Sequence, residues 1–201
     1  MAPRDGRCKV NMKDISLIGF MGCGKSSVGK ILATLLPECR LIDLDTYIEE
    51  KQGKNIPEIF NEYGEAAFRR MEREALEEIF SDKSRPRAIL SLGGGTVTSE
   101  QCRQLIRQHT DCFYLRATTD TLLDNLEGHS DGRPMLNPTQ PVEAQSTETS
   151  SEREALRRRI ESLMQTRSQQ YIATAHHIID IDGLSFAQIA EAVEDNILNI
   201  K

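Results

Sequence analysis

The chain has 201 residues, 38% of them hydrophobic and 28% charged, which is enough to bury the core of one globular domain. Its formal net charge of -6 argues against nucleic acid or an acidic membrane surface as a partner, so any positive site must be local. No apolar run approaches the length of a membrane-spanning helix, and we expect no membrane partner.

The cysteines do not suit a disulfide framework or a zinc cluster, because there are five of them and no two are spaced as a CxxC pair. This pattern favours a reducing compartment, and we expect a cytoplasmic protein. Residues 1–13 are basic and polar and lack the hydrophobic region of a signal peptide. They are predicted to form a flexible N-terminal tail before a single domain over residues 14–201.

Short β-like runs alternate with helical patterns along the rest of the chain. Five strands are predicted, over residues 15–20, 40–45, 88–92, 111–115 and 177–181. Between them, apolar residues at helical spacing predict amphipathic helices, the first of which carries Val28, Ile31, Leu32, Leu35 and Leu36. The last two helices are predicted over residues 156–171 and 186–197. Such alternation predicts a mostly parallel sheet that helices cover on both faces.

The stretch GFMGCGKSS lies between the first predicted strand and the first predicted helix. The residues that match the pattern G-x-x-x-x-G-K-[ST] of the phosphate-binding P-loop are Gly19, Gly24, Lys25 and Ser26. In such a loop, backbone N–H groups and the positive end of the helix surround the phosphates of a nucleotide. The lysine reaches the β- and γ-phosphates, and the serine supplies a hydroxyl to Mg²⁺. The alternative is a glycine-rich turn that Ser26 caps.

Two aspartates end the second predicted strand. Asp43 and Asp45 lie two positions apart, so both side chains are predicted to project from one face at the carboxyl end of the strand. Ligands of open α/β sheets bind outside that end. The pair could hold Mg²⁺ through water and bind an acceptor hydroxyl. Alternatively, Asp45 only caps a helix that starts near Thr46.

Two further stretches leave a functional and a structural interpretation open. Arg69 lies between Glu65 and Glu72 at helical spacing, which is typical of exposed salt bridges but also suits an arginine that binds a ligand. Three consecutive glycines follow the third strand, at positions 93–95. A plain turn needs one or two glycines, so three indicate a backbone that a ligand approaches closely.

Residues 127–152 are rich in Gly, Pro, Ser and Thr and have little periodicity. A loop of this length in a compact domain is usually functional or disordered. Arg133 in this segment, and Arg167 near a helix end, could each be an ordinary surface charge or a ligand-binding group.

The motifs GFMGCGKSSVGK, LIDLD, FRRME, SLGGGTV and GRPML stand together in the order and approximate spacing of the shikimate kinases, which the chain resembles from Ile15 onward. The resemblance implies an α/β fold of the P-loop kinase type, with three α/β/α layers, a five-stranded parallel sheet in the order 2-3-1-4-5 and a mobile lid at about residues 127–152. It implies an ATP-dependent kinase that phosphorylates the 3-hydroxyl of shikimate, with Mg²⁺ as cofactor. A monomer is expected.

The resemblance also implies a role for each matching residue. The catalytic residues would be Lys25, Asp45 and Arg133. The nucleotide would be bound by Gly22, Cys23, Gly24, Lys25, Ser26 and Ser27, and the metal by Ser26 and Asp43. Shikimate would be bound by Asp45, Arg69, Gly93, Gly94, Gly95 and Arg167, with the two arginines on its carboxylate. The arginine that commonly contacts adenine in this family has no counterpart in LLDNLEG, at residues 122–128.

Two alternatives to a shikimate kinase remain at this point. Another small-molecule P-loop kinase, such as a gluconate kinase, would also act on a hydroxylated carboxylate. A non-catalytic nucleotide-binding protein would need only the P-loop, although the guanine-reading pattern N-K-x-D is absent from the sequence. The glycine run together with FRRME favours shikimate.

Overall fold

A computed structural model describes residues 13–126 and 148–199 of the chain. Its strands are β1 (Asp14–Ile18), β2 (Arg40–Asp43), β3 (Ala88–Ser91), β4 (Thr110–Arg116) and β5 (His177–Asp180). They form one sheet in the order β2-β3-β1-β4-β5, and every neighbouring pair is parallel. The predicted parallel sheet with strand order 2-3-1-4-5 is therefore confirmed.

Helices cover both faces of this sheet. Within the described ranges they are α1 (Lys25–Leu35), α2 (Leu44–Gln52), α3 (Ile56–Ser81), α4 (Glu100–His109), α5 (Thr119–Leu126), α6 (Glu148–Thr174) and α7 (Phe186–Asn199), with a 3₁₀ turn at Thr96–Thr98. One apolar cluster joins the sheet to α1, α5 and α7, and a second joins it to α2, α3 and α4. The predicted three layers are thus confirmed. None of these helices is long and apolar enough to cross a membrane.

The three central strands, β1, β3 and β4, are mostly apolar, and both of their faces are buried. Successive strand residues point to opposite faces. Leu17 therefore joins the cluster under α1 and α7, whereas Ile18 joins the cluster under α3 and α4. Phe113 and Tyr114 of β4 divide in the same way. Continuous apolar runs of this kind are typical of parallel sheets.

Helix α1 turns most of its predicted apolar face toward the sheet. Val28 and Leu32 are fully buried, and Leu36 just after the helix is 7% exposed. The prediction is wrong for Leu35, which is 36% exposed. It is the last residue of the helix, and the exposed Pro37 and Glu38 follow soon after it.

Strand β2 is shorter than predicted, because the side chain of Asp43 starts a helix. One carboxylate oxygen of Asp43 accepts hydrogen bonds from the backbone N–H groups of Asp45 (3.2 Å) and Thr46 (3.4 Å), which makes it the N-cap of α2. Asp45 therefore lies in the first turn of α2 and not in a strand. The cap that the alternative interpretation assigned to Asp45 belongs to Asp43.

Helix α6 begins at Glu148, earlier than the predicted residue 156, and so occupies the end of the segment predicted as a lid. Its early turns are bonded to α5: Arg153 donates to Asp124 at 2.7 Å, and Arg157 pairs with Asp120. Ion pairs between helices extend α6 where the sequence shows no apolar periodicity. Most of the predicted lid, including Arg133, lies outside the described residues.

Candidate active site

The loop after β1 takes backbone conformations that glycine adopts easily and other residues do not. Gly22 and Gly24 have φ angles of 86° and 88°, in the left-handed region. Gly24 is the N-cap of α1, so the positive end of the helix dipole opens into the loop. A Cβ atom on Gly24 would also lie 2.5 Å from the ring of Phe186. These constraints require glycine at the end of the predicted P-loop.

Lys25 is held against this loop by uncharged partners. Its ammonium group donates to the carbonyl oxygens of Gly19 (2.9 Å) and Phe20 (3.0 Å), and the side chain is 8% exposed. Because carbonyl oxygens do not neutralise it, the ammonium charge remains available to an anionic ligand. The sulfur of Cys23 lies 3.7 Å away, but Cys23 is fully buried and does not line the cleft.

A hydroxyl and a carboxylate meet beside the loop. Ser26, at the start of α1, donates to the second carboxylate oxygen of Asp43 at 2.7 Å. These hard oxygen donors fit Mg²⁺, which commonly takes only one or two protein ligands in addition to substrate phosphates and water. Larger sets of metal-ligating side chains, with three or more His, Cys, Asp or Glu residues, are absent from the described ranges. The donor set therefore suits a magnesium ion that arrives with a nucleotide.

Asp45 lies in the same cleft as the phosphate loop. The cleft has a volume of about 350 Å³ and is lined by Met21, Gly22, Gly24, Lys25, Ser26, Ser27, Asp43, Asp45, Ser91, Leu92, Gly93, Gly94, Asn125 and Phe186. Burial raises the pKa of Asp45 to about 6, with smaller contributions from the nearby carboxylates of Glu72 and Asp43, while Lys25 acts in the opposite direction. A carboxylate with this pKa can both bind a hydroxyl and accept its proton near neutral pH.

Arg69 is not an exposed surface ion pair. Its guanidinium donates to Glu65 at 3.0 Å and to Glu72 at 2.6 Å. Glu72 is fully buried and also accepts a hydrogen bond from Thr96 at 2.5 Å. A Cβ atom on Gly95 would lie only 2.2 Å from a terminal nitrogen of Arg69, so the third glycine of the run is needed for this contact. The arginine is thereby fixed beside the glycine turn.

Arg167 approaches the same turn from α6. It is 3% exposed, and one of its terminal nitrogens is buried without a hydrogen-bond partner among the described residues. One turn later on α6, the hydroxyl of Tyr171 donates to the carbonyl oxygen of Gly94. Neither Arg69 nor Arg167 lines the phosphate cleft itself. Arg69 lies against the glycine turn at Gly95, and Arg167 lies beside Tyr171, which is bonded to that turn. Arg133 lies outside the described residues.

Five cleft residues were not predicted from the sequence, and three of them, Asn125, Phe186 and Ser91, have polar or aromatic side chains. Asn125 of α5 donates from its amide to the carbonyl oxygen of Gly22 at 2.9 Å. Phe186, the first residue of α7, lines the cleft and is 42% exposed. Ser91 lies 3.1 Å from the hydroxyl of Ser26. Of these three, only Ser91 carried a sequence signal, since it is a polar residue at the carboxyl end of an apolar strand.

One known protein family matches most of the chain. The model of the family described as shikimate kinase matches residues 21–197. A shikimate kinase of Thermus thermophilus is 33% identical over 183 residues, which cover 91% of this chain and 89% of the relative. That of a Sulfurihydrogenibium species is 41% identical over 132 residues, or 66% of this chain and 75% of the relative.

Solved structures agree with these matches. A shikimate kinase from Acinetobacter baumannii in complex with shikimate has a TM-score of 0.79 at 29% identity, over 94% of this chain and 96% of that one. A shikimate kinase from Bacteroides thetaiotaomicron has a TM-score of 0.77 at 28% identity, over 93% and 99%. Neither a gluconate kinase nor a non-catalytic nucleotide-binding protein is supported by these matches. The chain therefore belongs to the shikimate kinase family.

Proposed function

We propose that this chain transfers the γ-phosphoryl group of ATP to the 3-hydroxyl of shikimate, giving ADP and shikimate 3-phosphate. The observation that carries the proposal is the position of Asp45, which shares one cleft with Lys25 and the phosphate loop. A base for an acceptor hydroxyl thus lies beside the groups that hold a triphosphate. Membership in the shikimate kinase family identifies the acceptor.

In this proposal, the loop and α1 bind the nucleotide. Backbone N–H groups at the start of α1 would hold the phosphates, and Lys25 would bind the β- and γ-phosphate oxygens. Ser26 would hold Mg²⁺ directly and Asp43 would hold it through water, an arrangement supported by their 2.7 Å contact. The bound metal supplies positive charge to the phosphate oxygens. Since the transition state of phosphoryl transfer is loose, positioning and charge neutralisation account for most of the expected catalysis.

Asp45, the glycine turn and two arginines would bind the acceptor, shikimate. Asp45 would orient the 3-hydroxyl and accept its proton as the new P–O bond forms. Arg69 and Arg167 each keep a buried nitrogen without a protein partner among the described residues, which suits binding of the shikimate carboxylate. Gly93, Gly94 and Gly95 would let the ring approach the backbone.

The predicted lid is the last part of the proposal, and residues 127–147 of it lie outside the described residues. Closure would exclude water, which competes as phosphoryl acceptor, and would bring Arg133 to the transferring phosphate. A charge that acts mainly in the transition state affects kcat more than KM. Arg133→Ala should therefore lower kcat steeply with little change in either KM, and a kcat within twofold of wild type would make Arg133 an ordinary loop charge.

We also propose a monomeric cytoplasmic enzyme that has no nucleic-acid or membrane partner. The net charge of -6 supports the exclusion of polyanionic partners, and the odd number of cysteines supports a reducing compartment. Light scattering of the purified chain tests the monomer, because a mass of twice 22.6 kDa would contradict it.

A coupled assay of ADP release tests the function directly. ATP and Mg²⁺ are supplied with shikimate, with gluconate or without an acceptor. We expect ADP release that depends on shikimate and that Asp45→Asn abolishes. Equal release with gluconate would indicate the other class of small-molecule kinase, and nucleotide binding without release would indicate a non-catalytic protein.

A further inference from the structure

A serine without an assigned role lies at the corner where the metal would bind. Ser91 ends β3, and it is paired in register with Asp43 at the end of β2. Its side chain is 2% exposed yet lines the phosphate cleft. Its hydroxyl oxygen lies 3.1 Å from that of Ser26. The three side chains thus form one hydrogen-bonded group across α1, β2 and β3.

The direction of each hydrogen bond in this group follows from the number of protons. A serine hydroxyl has one proton to donate and two lone pairs that accept. Ser26 donates its proton to the carboxylate of Asp43, which accepts at 2.7 Å. In the contact between the two serines, Ser26 can then only accept, so Ser91 is the donor. One lone pair of Ser26 remains for a further ligand.

We propose that Ser91 is a positioning residue for Mg²⁺, which acts by fixing the hydroxyl of Ser26 so that its free lone pair is presented to the metal. The inference rests on the proposed function, in which Ser26 and Asp43 hold the ion. Ser91 does not touch the metal. It acts through Ser26, as the partners of metal ligands commonly do.

Ser26 needs such a partner because it is exposed at the start of α1, where a serine side chain has several staggered rotamers. With the bond to Asp43 alone, a single contact holds the rotamer of Ser26 and, with it, the direction of its lone pairs. A second bond, from a side chain that is buried at the end of a central strand, selects one orientation. Loss of that bond should therefore weaken metal-dependent binding and leave metal-independent binding unchanged.

The test measures how far Mg²⁺ tightens nucleotide binding. The affinity for the β,γ-imido analogue of ATP is measured by calorimetry in excess Mg²⁺ and again in EDTA, and the ratio of the two dissociation constants is taken. Ser91→Ala is compared with wild type and with Ser16→Ala. Ser16 is the matched control, because it is a buried strand serine bonded to a hydroxyl, that of Thr110, at 2.7 Å and does not line the cleft. Binding of shikimate alone reports correct folding.

We expect Ser91→Ala to reduce the ratio about three- to tenfold, the effect of one hydrogen bond, while binding in EDTA and binding of shikimate stay at the wild-type level. Ser16→Ala should keep the wild-type ratio. An unchanged ratio in Ser91→Ala would overturn the inference and leave the proposed function intact. If Mg²⁺ does not tighten binding in the wild-type protein, the metal assignment fails and the inference fails with it. A loss of binding in EDTA equal to the loss in Mg²⁺ would show a structural role and would also overturn it.

Discussion

The proposed chemistry depends most on Lys25 and Asp45, whose charged groups have different surroundings. The charge of Lys25 is stabilised by two carbonyl oxygens of the loop. The charge of Asp45 is destabilised by lost hydration and by Glu72, which raises its pKa to about 6. A carboxylate that is unfavourable for stability at neutral pH is typical of a functional site.

Lys25→Ala should lower the rate of phosphoryl transfer by about a hundredfold or more, because one preorganised charge on the phosphates is lost. The control is Lys30→Ala, since Lys30 is exposed on the same helix and faces away from the cleft. Steady-state kinetics and a thermal melt of both variants are sufficient. Turnover above a few per cent of wild type in Lys25→Ala would contradict the assigned role.

The pH dependence of the reaction should follow Asp45. Its pKa in the free protein is about 6, so kcat/KM for shikimate should fall below about pH 6, as the carboxylate takes up a proton and can no longer accept one from the substrate. The measurement is a kcat/KM profile from pH 5 to 9 at constant ionic strength. A profile that stays flat down to pH 5 would exclude Asp45 as the base.

The raised pKa of Asp45 also predicts how the stability of the protein depends on pH. Because its pKa is higher in the folded protein than the ordinary 3.8, the folded state binds the proton more tightly, and the stability this contributes is lost as the pH rises through about 6. Asp45→Asn should therefore be more stable than wild type at pH 8, by up to about 3 kcal/mol, and the difference should shrink toward pH 4.5. Urea unfolding at the two pH values measures it, with exposed Asp195→Asn as control. A less stable Asp45→Asn at pH 8 would contradict the pKa.

Among the helices and strands, the P-loop and its helix were predictable from the sequence, because local chemistry determines both. The end of β2 was not predictable in this way, since the alternation of LIDLD continues through Asp45 while the side chain of Asp43 starts a helix. The extra turns of α6 depend on ion pairs with α5 that no periodicity reports. Local patterns therefore place an element, whereas capping side chains and contacts with other elements set its ends.

Arg69 on α3 and Arg167 on α6 should both serve the acceptor. Arg69→Ala and Arg167→Ala should each weaken shikimate binding by about 2–5 kcal/mol, the cost of removing one partner of a desolvated charge pair, and change nucleotide binding little. Arg73→Ala is the matched control, because Arg73 lies one turn after Arg69 on α3 and pairs with Glu77 at 2.8 Å on the exposed side. Calorimetry with each ligand separates the effects. If both variants bind shikimate with wild-type affinity, the two arginines have only a structural role.

At the scale of the whole molecule, parallel strands bring distant motifs to one edge of the sheet. The phosphate loop follows β1, Asp43 ends β2 and the glycine turn follows β3. The sequence predicted that these motifs lie close together, because strands alternate with helices and each motif stands at the end of a strand. It could not predict that Glu72 is fully buried beneath the acceptor side or that Ser91 contacts Ser26, because both depend on the packing of elements far apart in the chain.

The proposed function requires nucleotide and shikimate to occupy one cleft with Asp45 between them. A crystal structure with ADP, Mg²⁺ and shikimate bound would show their positions. The decisive quantity is the distance from the Asp45 carboxylate to the 3-hydroxyl of shikimate. We expect a hydrogen bond of about 2.6–3.2 Å, with the shikimate carboxylate bound by Arg69 and Arg167 and the β-phosphate of ADP in the P-loop. Shikimate bound with its 3-hydroxyl away from Asp45, or outside the cleft, would rule out Asp45 as the base for this acceptor.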